Sequence, residues 1–137
     1  MLKSRLINPA LLRALAGAGH GSRILLADGN YPATTAAGRH SVLVELAIAA
    51  DLPTVAQILA LVHPIVPLES AAVMTPVDPD QEIPVHGEYQ RVLERLPLER
   101  LDRHKFYEAA KGDDLAVVVT TGDRTHYANL LLTVGTA

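Results

Sequence analysis

Four short segments carry side chains able to move protons or bind hydroxyl groups. His20 sits in the glycine-rich run Gly17-Ala18-Gly19-His20-Gly21-Ser22, and Asp28, Asn30 and Tyr31 follow in Asp28-Gly29-Asn30-Tyr31-Pro32. Tyr127 and Asn129 stand two residues apart where a strand is expected to begin, which would place them on one face of it. Arg100 to Lys105 is basic but interleaved with Asp102, by itself a solvated helix entrance. An acid, an amide, an aromatic ring and a histidine suit a neutral polyhydroxyl ligand. Each residue also has a plainer reading: a flexible turn at the glycines, a turn cap at Asp28, cross-strand packing at Tyr127.

Several other chemistries are excluded. The glycine run lacks the G-x-G-x-x-G spacing and lies after a helix and before a strand, the reverse of a dinucleotide-binding turn. With no cysteine there is no disulfide, thiolate metal site or thiol nucleophile. Lys and Arg number 12 against 15 Asp and Glu, a formal net charge of −3, so the chain lacks the basic excess that nucleic acid demands. The six histidines form no H-x-x-x-H pair on a helix and no H-E-x-x-H motif, so no metal is expected. Asp78, Asp80 and Glu82 imitate the start of a calcium loop, but Ile83 stands where glycine is needed and Tyr89 where the bidentate acid belongs. No G-x-S-x-G activates any of the serines.

The elements that must position these residues follow from patterning. Asn8-Pro9 starts a helix with an apolar stripe at Leu11, Leu12 and Leu15, ended by Gly17 and Gly19. Arg23 to Ala27 is a buried strand ending at Asp28, followed by a loop from Gly29 to Arg39. Ser41 to Leu46 reads as a strand, and Asp51 and Pro53 open a helix carrying Val55, Ile58, Leu59 and Val62. Ala71 to Met74 is a strand, and Thr75 to Pro84 is a surface loop of prolines and acids. A helix between Glu88 and Pro97 carries Tyr89, Val92, Leu93 and Leu96, and Asp102 caps another that stops at Gly112. Leu115 to Val119 and Asn129 to Val134 are the last strands. With no helix between them, they are expected to form an antiparallel hairpin at a sheet edge.

Strands alternating with helices in 137 residues, with no repeat or linker, predict a single α/β domain spanning residues 1–137 with a largely parallel sheet. The sequence is 49% hydrophobic but only 4% aromatic, and the Ala, Leu and Val excess is expected partly to cover a subunit interface. Glu45, Asp51, Pro53, His63 and Pro64 interrupt the most apolar stretch, so no membrane span is expected. Pro9 and Arg13 break up any secretory core near the start, and the expected location is the cytoplasm.

Taken together, Gly19-His20-Gly21, Ala27-Asp28-Gly29-Asn30-Tyr31-Pro32, Arg103-His104-Lys105-Phe106-Tyr107-Glu108, Thr121-Gly122-Asp123 and Tyr127-Ala128-Asn129-Leu130 with Gly135 resemble the ribose pyranase and fucose mutarotase family. Order and spacing fit from about Asn8 to Gly135, and Asp28-x-Asn30-Tyr31-Pro32 with Arg103-x-x-Phe106-Tyr107-Glu108 looks more like the fucose mutarotase branch. Thr34 to His40 and Thr75 to Pro84 depart from the family pattern. The resemblance implies a three-layer α/β/α fold, a monosaccharide substrate, and ring-like homodecamers with pockets at subunit boundaries. It also implies His20 as general acid, Asp28 and Arg103 as ligands of sugar hydroxyls, Asn30 beside them, and Tyr127, Ala128 and Asn129 completing the pocket.

Such residues suit anomer exchange. Opening a hemiacetal gives a proton to the ring oxygen and takes one from the anomeric hydroxyl, without cofactor, metal or covalent intermediate. An imidazole titrates near neutrality, and positioned proton transfer contributes roughly 10²- to 10⁴-fold. Asp28 and Tyr127 are both candidates for the second proton. The alternatives are a pyranase exchanging the pyranose and furanose forms of ribose, a non-catalytic sugar-binding accessory of an uptake system, and a ring-forming scaffold.

Overall fold

A computed structural model describes residues 1–137. The elements are α1 (Pro9–Gly17), β1 (Arg23–Ala27), β2 (Val42–Glu45), α2 (Val55–Val62), β3 (Leu68–Met74), α3 (Pro84–Leu93), β4 (Leu98–Leu101), α4 (Arg103–Ala110), β5 (Leu115–Thr120) and β6 (Leu130–Val134). The helix starts follow the capping logic. Asn8 Oδ1 accepts from Leu11 N–H at 2.9 Å, and Asp102 Oδ1 accepts from Lys105 N–H at 2.9 Å. Thr54 and Gln57 form a reciprocal capping box on α2.

The six strands make one sheet in the order β2-β5-β1-β6-β3-β4. All neighbours are parallel except β6, which is antiparallel to both β1 and β3. The expected hairpin of β5 and β6 is therefore absent. β6 is antiparallel as expected but lies in the middle of the sheet, with β1 between it and β5. Its three successive leucines, Leu130, Leu131 and Leu132, are buried on both faces, which suits a central strand and not an edge.

Alternate side chains build two cores. Ile24, Leu26, Val117, Val119, Leu130, Leu132, Ala71 and Val73 pack under α1, α2 and α3. On the opposite face, Leu25, Ala27, Val118, Leu131, Ala72 and Met74 meet Phe106 and Ala110 of α4 and Tyr31 and Ala36 of the loop after β1. The domain is thus three layers, as expected, with three helices on one side and one helix plus a loop on the other. Two boundaries differ from the sequence reading: α3 begins at Pro84, four residues before Glu88, and β4 was not expected at all. β4 is a four-residue edge strand with Glu99 and Arg100 exposed, so its composition is that of a loop.

Candidate active site

The carboxyl ends of β1, β3, β4 and β5 point the same way, and the antiparallel β6 begins at that end. Beyond them lies a polar pocket of about 320 Å³ lined by Asp28, Asn30, Tyr31, Met74, Arg103, Tyr107, His126, Tyr127 and Asn129. Crevices outside the carboxyl ends of strands are where open α/β sheets bind ligands. A larger cleft of about 690 Å³ flanks α4 over β3 and β6, but it gathers none of these groups.

At the pocket floor Asp28 is 5% exposed and locked to Asn129 by two bonds. Asn129 Oδ1 accepts from Asp28 N–H at 2.8 Å, and Asn129 Nδ2 donates to Asp28 Oδ2 at 2.9 Å. Asp28 Oδ1 accepts from Asn30 N–H at 2.9 Å, so the turn cap is real and coexists with a place in the pocket. Burial pushes the Asp28 carboxyl above its ordinary range; backbone N–H groups of Asn30 and Tyr31 partly offset this, and the nearby Asp123 adds to it. The result is a carboxylate of increased proton affinity, suited to general base work.

One wall is aromatic. The Tyr31 and Tyr107 rings stack with centroids 5.3 Å apart and planes 13° apart, and Tyr31 Oη donates to Ala36 O at 2.6 Å. The guanidinium carbon of Arg103 lies 5.7 Å from the Tyr107 centroid. Arg103 is the first residue of α4 and exposed. Its fork of donors is paired with no carboxylate in the chain, leaving it for ligand oxygens. Replacing Arg103 with Met keeps the stem and removes the donors. Expected is a rise of about tenfold in the Kd of a polyhydroxyl ligand, the worth of a hydrogen bond to a charged group, with little change in melting temperature. Isothermal titration checks it.

The structure does not bring every expected residue into this pocket. Tyr127 does line it, but from the turn before β6, with φ 61°, and not from a strand face shared with Asn129, because β6 starts at Leu130. Ala128 does not line the pocket, because its methyl is buried in the larger core and its carbonyl accepts from Tyr89 Oη at 2.6 Å. The largest departure is His20. It precedes β1 whereas Asp28 follows it, so within one chain they lie at opposite ends of a five-residue strand, about 16 Å long at 3.3 Å per residue. His20 is 60% exposed on its side chain, with Nε2 2.9 Å from Glu69 Oε2, and borders a different surface cleft with His40, Asp113 and Asp114.

The structural roles of Thr121, Gly122 and Asp123 were not legible beforehand. Thr121 Oγ1 donates to Ala27 O at 2.8 Å, tying the ends of β1 and β5. A Cβ on Gly122 would run into the Ala49 carbonyl oxygen. Asp123, 1% exposed, accepts from Val55 N–H of α2 at 2.9 Å on Oδ2 and from Thr125 N–H at 2.9 Å on Oδ1. Asp123→Ala leaves the buried Val55 N–H unpaired, and a loss of about 1–3 kcal/mol in urea denaturation is the expected outcome.

An α/β/α domain with a polar pocket of hydrogen-bonding groups at its strand ends defines a domain that binds, or acts on, a small polar solute. A sequence model of the RbsD / FucU transport protein family matches residues 1–137, and the chain belongs to that family. It is 38% identical to a human protein named fucose mutarotase, over 95% of this chain and 89% of that one. A mouse protein of the same name is 35% identical, over 96% and 91%. Among solved structures, the fucose mutarotase of Streptococcus pneumoniae in complex with L-fucose superposes with a TM-score of 0.84 at 28% identity, covering 99% of each chain. Bacillus subtilis RbsD complexed with D-ribose superposes with a TM-score of 0.85 at 22% identity, covering 100% of this chain and 99% of that one, a likeness of fold. No helix is long and apolar enough to cross a membrane.

Proposed function

We propose that the protein is a monosaccharide mutarotase that interconverts the anomers of a fucose-like sugar by general acid and base catalysis. The observation that carries this reading is the pocket in which a buried carboxylate of raised proton affinity, Asp28, meets the free donors of Arg103 and the tyrosine wall. The human and mouse relatives named fucose mutarotase support the substrate class.

The reaction needs two proton transfers. Asp28 takes the proton of the anomeric hydroxyl while an imidazole gives one to the ring oxygen, the bond from anomeric carbon to ring oxygen breaks, and an open aldehyde forms. Rotation about the bond to the aldehyde carbon exposes its other face. Closure reverses both transfers, so protons and electrons balance. Of the two candidates for the second proton, Asp28 is preferred over Tyr127, because its buried carboxylate at the pocket floor has its proton affinity raised by burial.

His20 of the same chain cannot supply the imidazole, being a strand length away. We therefore assign it to a neighbouring copy: pockets lie at subunit boundaries, each combining Asp28 of one chain with His20 of another, in a homo-oligomer that family resemblance makes a decamer. Exposed Val42, Leu43, Ile48 and Leu52 on and after edge strand β2 are the kind of apolar surface that such contacts cover. The protein acts in the cytoplasm on this reading.

The test is a panel of reducing sugars scored by saturation-transfer NMR. Accelerated α to β exchange, strongest with L-fucose, is expected. Acceleration of pyranose to furanose exchange of ribose alone would make it a pyranase. Sugar binding with no acceleration from pH 5 to 9 would reduce it to a binding accessory.

A further inference from the structure

His86 lies on α3, outside the pocket, and is 5% exposed. Its Nε2 is 2.8 Å from the carbonyl oxygen of Tyr127, and its Nδ1 is buried with no partner. A carbonyl can only accept, so Nε2 carries the hydrogen and Nδ1 of the neutral ring is a bare lone pair. Three residues along the same helix face, Tyr89 donates through Oη to the carbonyl of Ala128 at 2.6 Å. The two rings lie 6.2 Å apart. One helix face thus holds two successive carbonyls of the segment Tyr127-Ala128-Asn129.

That segment requires holding. Tyr127 has φ 61°, in the left-handed region that a bulky residue rarely adopts. Its conformation directs the next two residues, and Asn129 in turn clamps both the backbone and the carboxylate of Asp28. A side chain that merely filled this space would need neither nitrogen. A buried imidazole with one nitrogen idle is a net cost unless the bond made by the other matters.

We infer that His86 is a positioning residue of the sugar pocket: its Nε2–H fixes the Tyr127 carbonyl, and through Tyr127-Ala128-Asn129 it sets the Asp28 carboxylate against the substrate. The inference rests on the mutarotase reading for its consequence, but its geometric half stands apart from catalysis. Burial keeps the ring neutral by pushing it below the ordinary histidine range, with the Tyr127 carbonyl opposing this and the Arg100 charge on β4 adding to it.

Two variants separate positioning from filling. His86→Phe keeps a planar ring and removes both nitrogens; His86→Gln keeps an amide donor. In the intact assembly, His86→Phe is expected to raise the Kd for L-fucose about tenfold, one hydrogen bond's worth. It is also expected to speed hydrogen–deuterium exchange in the peptide spanning 126–130. In His86→Gln both effects shrink to within about threefold of wild type, on the same scale. The inference is overturned if His86→Phe binds L-fucose as wild type does with unchanged exchange at 126–130, or if both variants lose affinity equally. Should the wild type bind no sugar, the functional reading fails. The geometric claim is then decided by exchange alone: faster at 126–130 in His86→Phe and restored in His86→Gln supports it, and unchanged overturns it.

Discussion

His20→Ala is expected to slow anomer exchange by about 10²- to 10⁴-fold, the range that positioned proton transfer contributes. It should do so without disturbing the fold. The side chain is 60% exposed, and the bond of Nε2 to Glu69 is its one side-chain contact of note, an exposed pair, worth at most about 1 kcal/mol. The residues flanking it, Gly19 and Gly21, leave the turn intact when the ring is removed. A melting temperature and oligomer size equal to wild type, with exchange reduced to near the uncatalysed rate, is therefore the expected pair of results. On the proposed mechanism, Nδ1 is the nitrogen that would face the sugar, since Glu69 engages Nε2. Unaltered exchange in His20→Ala would remove this residue from the mechanism and leave His126, the imidazole that lines the pocket within the same chain, as the remaining candidate acid.

Asp28→Asn is expected to cost at least as much activity, for two reasons that add. The carboxylate is the proposed base, and an amide cannot take the proton. It also disturbs the floor of the pocket. Both Asp28 oxygens accept, one from Asn30 N–H and one from Asn129 Nδ2. An amide nitrogen at either position faces another donor. Asn129 cannot turn over to help, because its Oδ1 is held by Asp28 N–H. An unpaired buried donor costs about 1–3 kcal/mol, while loss of a buried charge works the other way. Asp28 has its proton affinity raised in the folded state, so its ionisation opposes folding: stability from this group is present below the ordinary carboxyl pKa and lost as pH rises through the folded value. The net stability change is then modest and the activity change large, about 10³-fold or more when base and geometry are lost together. Single-turnover NMR exchange beside a thermal melt measures both.

Much of the fold was legible because local rules agreed with the tertiary outcome. The apolar run Arg23–Ala27 ending in an acid gave β1 and Asp28; Asn8-Pro9 and Asp102 gave two helix starts; Val55, Ile58, Leu59 and Val62 gave α2. What failed was non-local. Nothing in Leu130–Val134 says that it inserts between β1 and β3, although its unbroken leucines could have excluded an edge position. β4 was missed because a short exposed edge strand reads Leu-Glu-Arg-Leu, like a loop. The apolar stripe from Tyr89 onward does not mark the start of α3; Pro84, a residue favoured in the first turn of a helix, does, and it brings His86 into the helix. In the site, residues carried by turns at the strand ends were found by type, but the distance from His20 to Asp28 follows from the strand between them and was available from β1's length alone. Asp123 was seen as part of a motif without its role, since a buried cap on a helix 68 residues away in sequence leaves no local trace.

The central claim, a sugar pocket completed by histidine from a second copy, is tested most directly by mixing two inactive chains. His20→Ala and Asp28→Asn, carried on different affinity tags, are co-expressed and purified through both tags so that every assembly holds both chains. Each parent alone lacks a group in every pocket. In the mixture, about a quarter of boundaries pair an intact Asp28 with an intact His20 if chains assemble at random. Recovery of L-fucose anomer exchange toward that fraction of wild type is the predicted result. Mixed assemblies as inactive as their parents would contradict the shared site.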